Sequence, residues 1–201
     1  MELERLAVHA SEAYDVRIDV FGFDRTIGLP PPTDYRDLPY TWRENYFTMD
    51  VASLERRLSS AQLIPGDIAE SARSFFEDYE PSPVGFVSVD VDYYSSAKDA
   101  FSMFDGSDRF FLPRVYVYLD DIVGDLDQTI HNEFVGELRA VREFNAEHGA
   151  MKVAPIHGLC HKRPIAAPWN DSMYALHRFE HYEYSKYVGP PPETQLLPLA
   201  D

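Results

Sequence analysis

Two apolar runs in this sequence end in paired aspartates. Ser88-Val89-Asp90-Val91-Asp92-Tyr93-Tyr94 closes one of them and Tyr118-Leu119-Asp120-Asp121 closes the other. Carboxylates brought close together repel one another, so such a cluster persists only where some members hold a proton or a cation sits among them. An all-oxygen donor set favours a hard ion, Mg²⁺ before Mn²⁺ or Ca²⁺. The cysteine and histidines show no spacing suited to zinc. A single aspartate after a strand is more often structural, its side chain accepting main-chain N–H bonds where a loop starts. Two pairs, each after an apolar strand and separated by one helical stretch, point instead to a site.

The acids can meet only if the elements before them are parallel neighbours. Strands are expected over residues 16–23 (ending at Asp24), 61–64, 84–90, 114–119, 151–156 and 173–179. Helices are expected over 3–13, 51–59, 68–79, 94–104 and 127–148. Asp67 with Glu70 makes a capping-box-like start, and Ile68, Ala72, Phe75 and Phe76 form an apolar stripe behind it. Ile130, Phe134, Leu138, Val141 and Phe144 mark one face of the longest helix. Alternating strands and helices argue for an α/β fold, a mostly parallel sheet with helices on both faces. Ligands in such sheets lie beyond the carboxyl ends of the strands. Right-handed crossovers would set the two acid-bearing ends side by side, about 4.8 Å apart. One domain is expected over residues 1–188, with Pro190-Pro191-Pro192 opening an extended tail over 189–201.

Charge and composition narrow the partners. Thirty-four acidic against eighteen basic side chains leave a net charge of −16, which would repel a phosphate backbone and argues against nucleic acid. No stretch approaches the roughly 18 apolar residues of a membrane span, so no membrane partner is expected. The acidic opening Met-Glu-Leu-Glu-Arg does not read as a secretory signal. The single cysteine, Cys160, allows no intramolecular disulfide and fits a reducing cytoplasm. Cys160 is expected to be a small buried residue rather than a nucleophile.

Several segments then resemble one family. Phe23-Asp24-Arg25-Thr26-Ile27-Gly28-Leu29-Pro30, Gly66-Asp67-Ile68 with Glu70-Ser71, Asp90-Val91-Asp92-Tyr93-Tyr94-Ser95-Ser96 and Asp120-Asp121 are similar, in order and spacing, to motifs of the macrocin O-methyltransferase family. That family methylates sugar hydroxyls in antibiotic biosynthesis. The resemblance covers about residues 20–125. It implies a class I, Rossmann-like methyltransferase fold using S-adenosylmethionine and Mg²⁺, acting on a small-molecule hydroxyl. It implies Asp90, Asp120 and Asp121 as metal ligands and Asp92 as general base. Asp24 would face the cofactor's ribose, and Asp67 and Ile68 its adenine. The sequence departs from the family in three places, one of them Ser95-Ser96-Ala97 where the family has Glu-Ser-Thr. The family's opening strand and Gly-rich turn have no counterpart, so the implied fold lacks its first strand, and Ile122 stands where a tyrosine follows the paired acids.

Alternatives stay open at this level. A non-catalytic relative working through binding or oligomer contacts would keep the same acids, and so would a metal-dependent hydrolase. Whether Asp90 or Asp92 touches the metal turns on where the strand ends, since one residue reverses the side-chain direction. The acceptor's identity and a homo-oligomeric state are also open. His177 and His181 fall on a strand pattern, which speaks against a shared metal, and the aromatic run from Trp169 to Tyr187 reads as packing. No Gly-x-Ser-x-Gly elbow or phosphate loop occurs.

Overall fold

The computed structural model describes residues 2–124 and 130–189. The Pro-rich tail and the first residues of the expected 127–148 helix lie outside them. In chain order the elements are α1 (Glu2–Tyr14), β1 (Phe21–Asp24), α2 (Val51–Glu55), β2 (Gln62–Pro65), α3 (Ile68–Tyr79), β3 (Val84–Val89), α4 (Tyr94–Phe101), β4 (Phe111–Leu119), α5 (Gly136–Glu147), β5 (Met151–Pro155), α6 (Leu159–Lys162) and β6 (Met173–Arg178).

The strands form two sheets. β1 pairs with β2 in parallel, and a four-stranded sheet runs β3-β4-β6-β5, with β3 and β4 parallel. β6 is antiparallel to both its neighbours, so the sheet is mixed. The two sheets point the same way. Ser82, just before β3, donates its hydroxyl to Asp19, just before β1, at 2.8 Å, while Asp24 at the end of β1 acts electrostatically on Asp90 after β3. No strand from the described residues lies between β1 and β3.

Helix α3 joins the two sheets through aromatic packing. Phe75 meets Phe21 and Phe23 of β1 edge-on, with ring centroids 5.0 and 5.1 Å apart. Its neighbour Phe76 stacks on Phe110 at 4.7 Å and meets Phe111 of β4. Each buried phenylalanine contributes about 1.5–3 kcal/mol by leaving water. Ala97 and Phe101 of α4 and Val141 and Phe144 of α5 continue this layer over Val115, Val117, Leu119, Val153 and Leu176. On the opposite face of the four-stranded sheet Phe86, Leu112 and Tyr116 are exposed.

Three expectations are corrected. Helix α5 starts at Gly136, nine residues later than its period suggested, because Gly136 sits at φ +56 and Val135 is extended. Both conformations interrupt a helix. Ile130 and Phe134 are therefore exposed, Phe134 lying under the Arg142 guanidinium. The first strand is only four residues long, because its pairing with β2 begins where Gln62 N–H meets the Val20 carbonyl. Cys160 is exposed on the four-residue helix α6 rather than buried.

Helix α1 is fixed by a carboxylate more than by apolar contact, since Leu3, Leu6 and Val8 are exposed. Glu4 is buried and accepts the main-chain N–H groups of Ser59, Ser60 and Ala61 at 2.7, 2.6 and 3.0 Å. These bonds, with Ser60 first, hold the carboxyl down at about 2 against an ordinary 4.5. A depressed acid stabilises the fold above its unfolded pKa, and that stability is lost as pH falls through the folded value. Glu4→Gln should thus be less stable than the parent at pH 7 and should lose less between pH 4.5 and about 2, which thermal melts across that range will read. Glu143, also held at about 2, is present in both proteins, so the difference isolates Glu4.

Candidate active site

The parallel register of β3 and β4 sets Val89 opposite Leu119, so both acid pairs leave the sheet at one end. Asp120 N–H donates to the Val89 carbonyl at 3.0 Å and carries the ladder one step past the strands. Asp92 N–H donates to Asp121 Oδ2 at 2.9 Å, which ties the second pair to the first. Tyr118 donates its hydroxyl to Asp120 Oδ1 at 2.7 Å. The structure therefore brings together all four acids expected at the strand mouth.

Their environments differ. Asp90 and Asp120 are exposed, Asp121 is half-buried and Asp92 is 9% exposed. Asp92 is pushed up to about 7, first by burial and then by the charges of Asp121, Asp90 and Asp120. Asp90 is pushed up to about 6 by burial, then by Asp120, Asp121 and Asp24. Asp90 retains solvent access, so Asp92 is the more firmly perturbed of the two. Its backbone is perturbed as well. Asp92 has φ +58, and Tyr93 N–H reaches back to the Val91 carbonyl at 2.5 Å, closing a three-residue turn around it. Non-glycine residues in such turns are strained and gather where surroundings force the conformation, often at functional sites.

The other expected residues lie at the ends of β1 and β2. Asp24 ends β1 opposite Pro65, Gly66 N–H donates to the Asp24 carbonyl at 2.9 Å, and Asp24 Oδ1 accepts Thr26 N–H at 2.5 Å. Asp67 caps α3, accepting Ala69 N–H at 2.9 Å, and the half-buried Ile68 opens that helix. These three form their own group, linked to the mouth by the repulsion of Asp24 on Asp90.

Three buried residues of the site escape a sequence reading. Asp37, on a short 3-10 turn in the long loop after β1, is 0% exposed. It accepts Ser95 N–H at 2.8 Å and Ser95 Oγ at 3.1 Å, and so caps α4 from 58 residues away. Tyr93 is fully buried with no partner for its hydroxyl among the described residues, and burial, then Asp37 and Asp92, push it up to about 12. Glu137, in the first turn of α5, is fully buried beside Asp121 and Asp90. None lies in a local pattern that marks it out, because each acts through contacts distant in sequence.

The donor chemistry of the mouth suits a hard cation, for burial and like charges are what move Asp90 and Asp92. The positions do not yet form a ligand shell: among the described residues, no three carboxylate, histidine or thiol groups stand ready to hold a metal ion. The two histidines of the last strand region also part company. His177 Nδ1 pairs with the Tyr184 hydroxyl at 2.8 Å, and His181 is buried against the Phe111 carbonyl at 3.1 Å. No helix among the described residues is long and apolar enough to cross a membrane.

No family model and no curated protein sequence matches the chain. Solved structures do match it. The calicheamicin methyltransferase CalS11 superposes with a TM-score of 0.57 at 17% identity, over 89% of this chain and 67% of that one. The O-methyltransferase NovP gives 0.52 at 15% identity, over 84% and 63%. The chain thus spans about two thirds of the length of either structure. Its Rossmann-like α/β fold is the fold of these two methyltransferases.

Proposed function

We propose that this chain belongs to an S-adenosylmethionine-dependent O-methyltransferase acting on a hydroxyl of a small molecule, with Asp92 as the proton acceptor. The observation that carries the reading is Asp92 itself, buried, held in a strained turn at a shared strand mouth, and shifted to about 7. A base near the working pH combines the right protonation state with enough driving force for proton transfer.

S-adenosylmethionine would supply an electrophilic methyl group on a sulfonium. Asp92 would take the proton of the acceptor hydroxyl whose oxygen receives that methyl group, the sulfur leaving as a neutral thioether. The acceptor must lie on the line of the breaking bond, so fixing its oxygen is a large part of the catalytic work. Asp121 orients Asp92 by accepting its N–H. Asp24, Asp67 and Ile68 would line the cofactor's nucleoside end. A magnesium ion held by Asp90, Asp120 and Asp121 is supported by donor chemistry alone, and no step above depends on it.

One observation favours a second reading, a non-catalytic relative that keeps the fold. The Asp24 group and the acid mouth stand at the ends of two sheets that no strand of the described residues joins, so a cofactor spanning both would have to bridge them. Calorimetric titration with S-adenosylmethionine, with and without Mg²⁺ and beside Asp120→Asn, separates the two. Micromolar cofactor binding, with a Mg²⁺ heat that the substitution abolishes, is the expected result. Mg²⁺ binding without cofactor binding would favour the relative, and silence for both ligands would sink the catalytic reading.

A further inference from the structure

Glu137 is a costly residue with no use in the chemistry above. None of its surface reaches solvent, and neither carboxyl oxygen completes a hydrogen bond among the described residues. The charged groups acting on it, Asp121 and Asp90, carry its own sign. A buried carboxyl without counter-charge or completed hydrogen bond is strongly disfavoured, and an apolar side chain of similar size would be neutral or stabilising there. Packing alone does not account for a carboxyl at this place.

Its surroundings suggest what does. The main-chain N–H groups of Val91 and Asp121 act on the Glu137 carboxyl and favour its charged form, though neither oxygen completes a hydrogen bond among the described residues. One amide belongs to the turn after β3 and the other to the turn after β4. Between them lies Asp92 in its left-handed conformation, with its own N–H held by Asp121. A strained residue persists only where its surroundings over-determine it. Two supports are plain, the Tyr93-to-Val91 bond and the Asp92-to-Asp121 bond. Val91 and Asp121, the accepting residues of these two bonds, are the same two whose amides act on Glu137. The left-handed Gly136 and the extended Val135 start α5 where this side chain enters the core beneath the strand ends.

We propose that Glu137 is a positioning residue: set against the amides of Val91 and Asp121, it holds the two acid-bearing turns together and keeps Asp92 in its left-handed turn. The role rests on Asp92 being the proton acceptor, but the test does not require turnover, cofactor or cation.

The test is amide hydrogen exchange in the full chain for Glu137→Gln and Glu137→Met, beside thermal melting. Glutamine keeps an acceptor oxygen in place, whereas methionine keeps the volume and removes the acceptor. Glu137→Met should melt no lower than the parent, yet the Asp92 and Tyr93 amides should exchange at least about tenfold faster, because local opening is set by local supports. Glu137→Gln should restore exchange to near the parent rate. A merely structural glutamate would move the melting temperature and leave these amides alone. Parent-like exchange in Glu137→Met overturns the proposal, and so does Glu137→Gln exchanging as fast as Glu137→Met. Should Glu137→Met fail to fold, Glu137→Asp, which withdraws the carboxyl by one methylene, is read in its place: faster exchange supports the role and unchanged exchange overturns it. Absence of S-adenosylmethionine binding in the parent would overturn the enzyme reading and leave this result standing.

Discussion

Replacing Asp92 by asparagine should raise the stability of the fold at pH 8 and cut methyl transfer by about 10²- to 10⁴-fold in the same protein. The stability half follows from where the carboxyl sits. It is 9% exposed, beside Asp121, Asp90 and Asp120, and is pushed up to about 7 from an ordinary 3.8. An acid whose folded pKa is raised contributes its full stability below the unfolded value and loses it as pH rises through the folded one. The window is therefore about pH 4 to 7. Three units at about 1.4 kcal/mol each set an upper bound of about 4 kcal/mol. Relaxation around the ionised group will reduce the realised cost to about 1–3 kcal/mol. Asparagine has no charge to bury, tolerates φ +58 as well as aspartate does, and leaves the backbone N–H that reaches Asp121. Melting curves of the two proteins should coincide near pH 4, diverge between about pH 4 and 7 and stay apart above it, the substituted protein melting higher. A divalent cation added at pH 8 should narrow the gap by stabilising the parent. Curves that stay superimposed to pH 9 would mean that Asp92 is not strained by its neighbours.

The functional half has the opposite sign. Without a group to take the hydroxyl proton, turnover should fall by about 10²- to 10⁴-fold, the usual worth of a positioned base. Stability gained and activity lost at one residue is the pattern expected of an active-site acid held at a cost to the fold. A surface aspartate would show neither effect.

That the acid cluster at the strand mouth could be read from sequence, and Glu137 could not, has a physical basis. A strand that ends in an acid states both its direction and its polar end in consecutive residues, so Asp90, Asp92, Asp120 and Asp121 were legible once the strands were taken as parallel. Helix α3 was equally legible, its boundaries of Ile68 and Tyr79 set by the Asp67 cap and the apolar stripe behind it. The start of α5 was not, because Ile130 and Phe134 continue a helical period while lying in a loop and turn that the left-handed Gly136 separates from the helix. Period reports what a segment could bury, not what lies opposite to bury it. The same limit applies at residues 16–20, which alternate like a strand but have no edge to pair with until β2 begins. Glu137 and Asp37 each touch a turn far along the chain, and single-chain patterning carries no term for such contacts.

Asp37→Ala should cost about 1–3 kcal/mol and loosen the start of α4 beside the site. Helix α4 starts immediately after the Asp92 turn, and its own N-cap, Tyr93, offers no side-chain acceptor. Asp37 supplies one from the loop after β1, accepting Ser95 N–H and hydroxyl, while its Oδ2 also takes Thr33 N–H at 2.7 Å and Thr33 Oγ1 at 2.6 Å. One carboxylate thus neutralises the positive end of α4 and latches the loop to it. Removing it leaves the half-buried Ser95 N–H without its acceptor, whereas the exposed Thr33 can turn to water, so most of the loss belongs to α4. For a chain of this length, at about 2–4 °C per kcal/mol, the expected fall in melting temperature is about 2–12 °C. Asp37→Asn, which keeps one acceptor oxygen and loses the charge, should fall between the two. The decisive comparison adds Ser95→Ala alone and with Asp37→Ala. Residues that share one bond are coupled, so the double substitution should cost clearly less than the two single losses added together. Full additivity would mean that the latch carries no energy, and that α4 is held in place by Ala97 and Phe101 in the core instead.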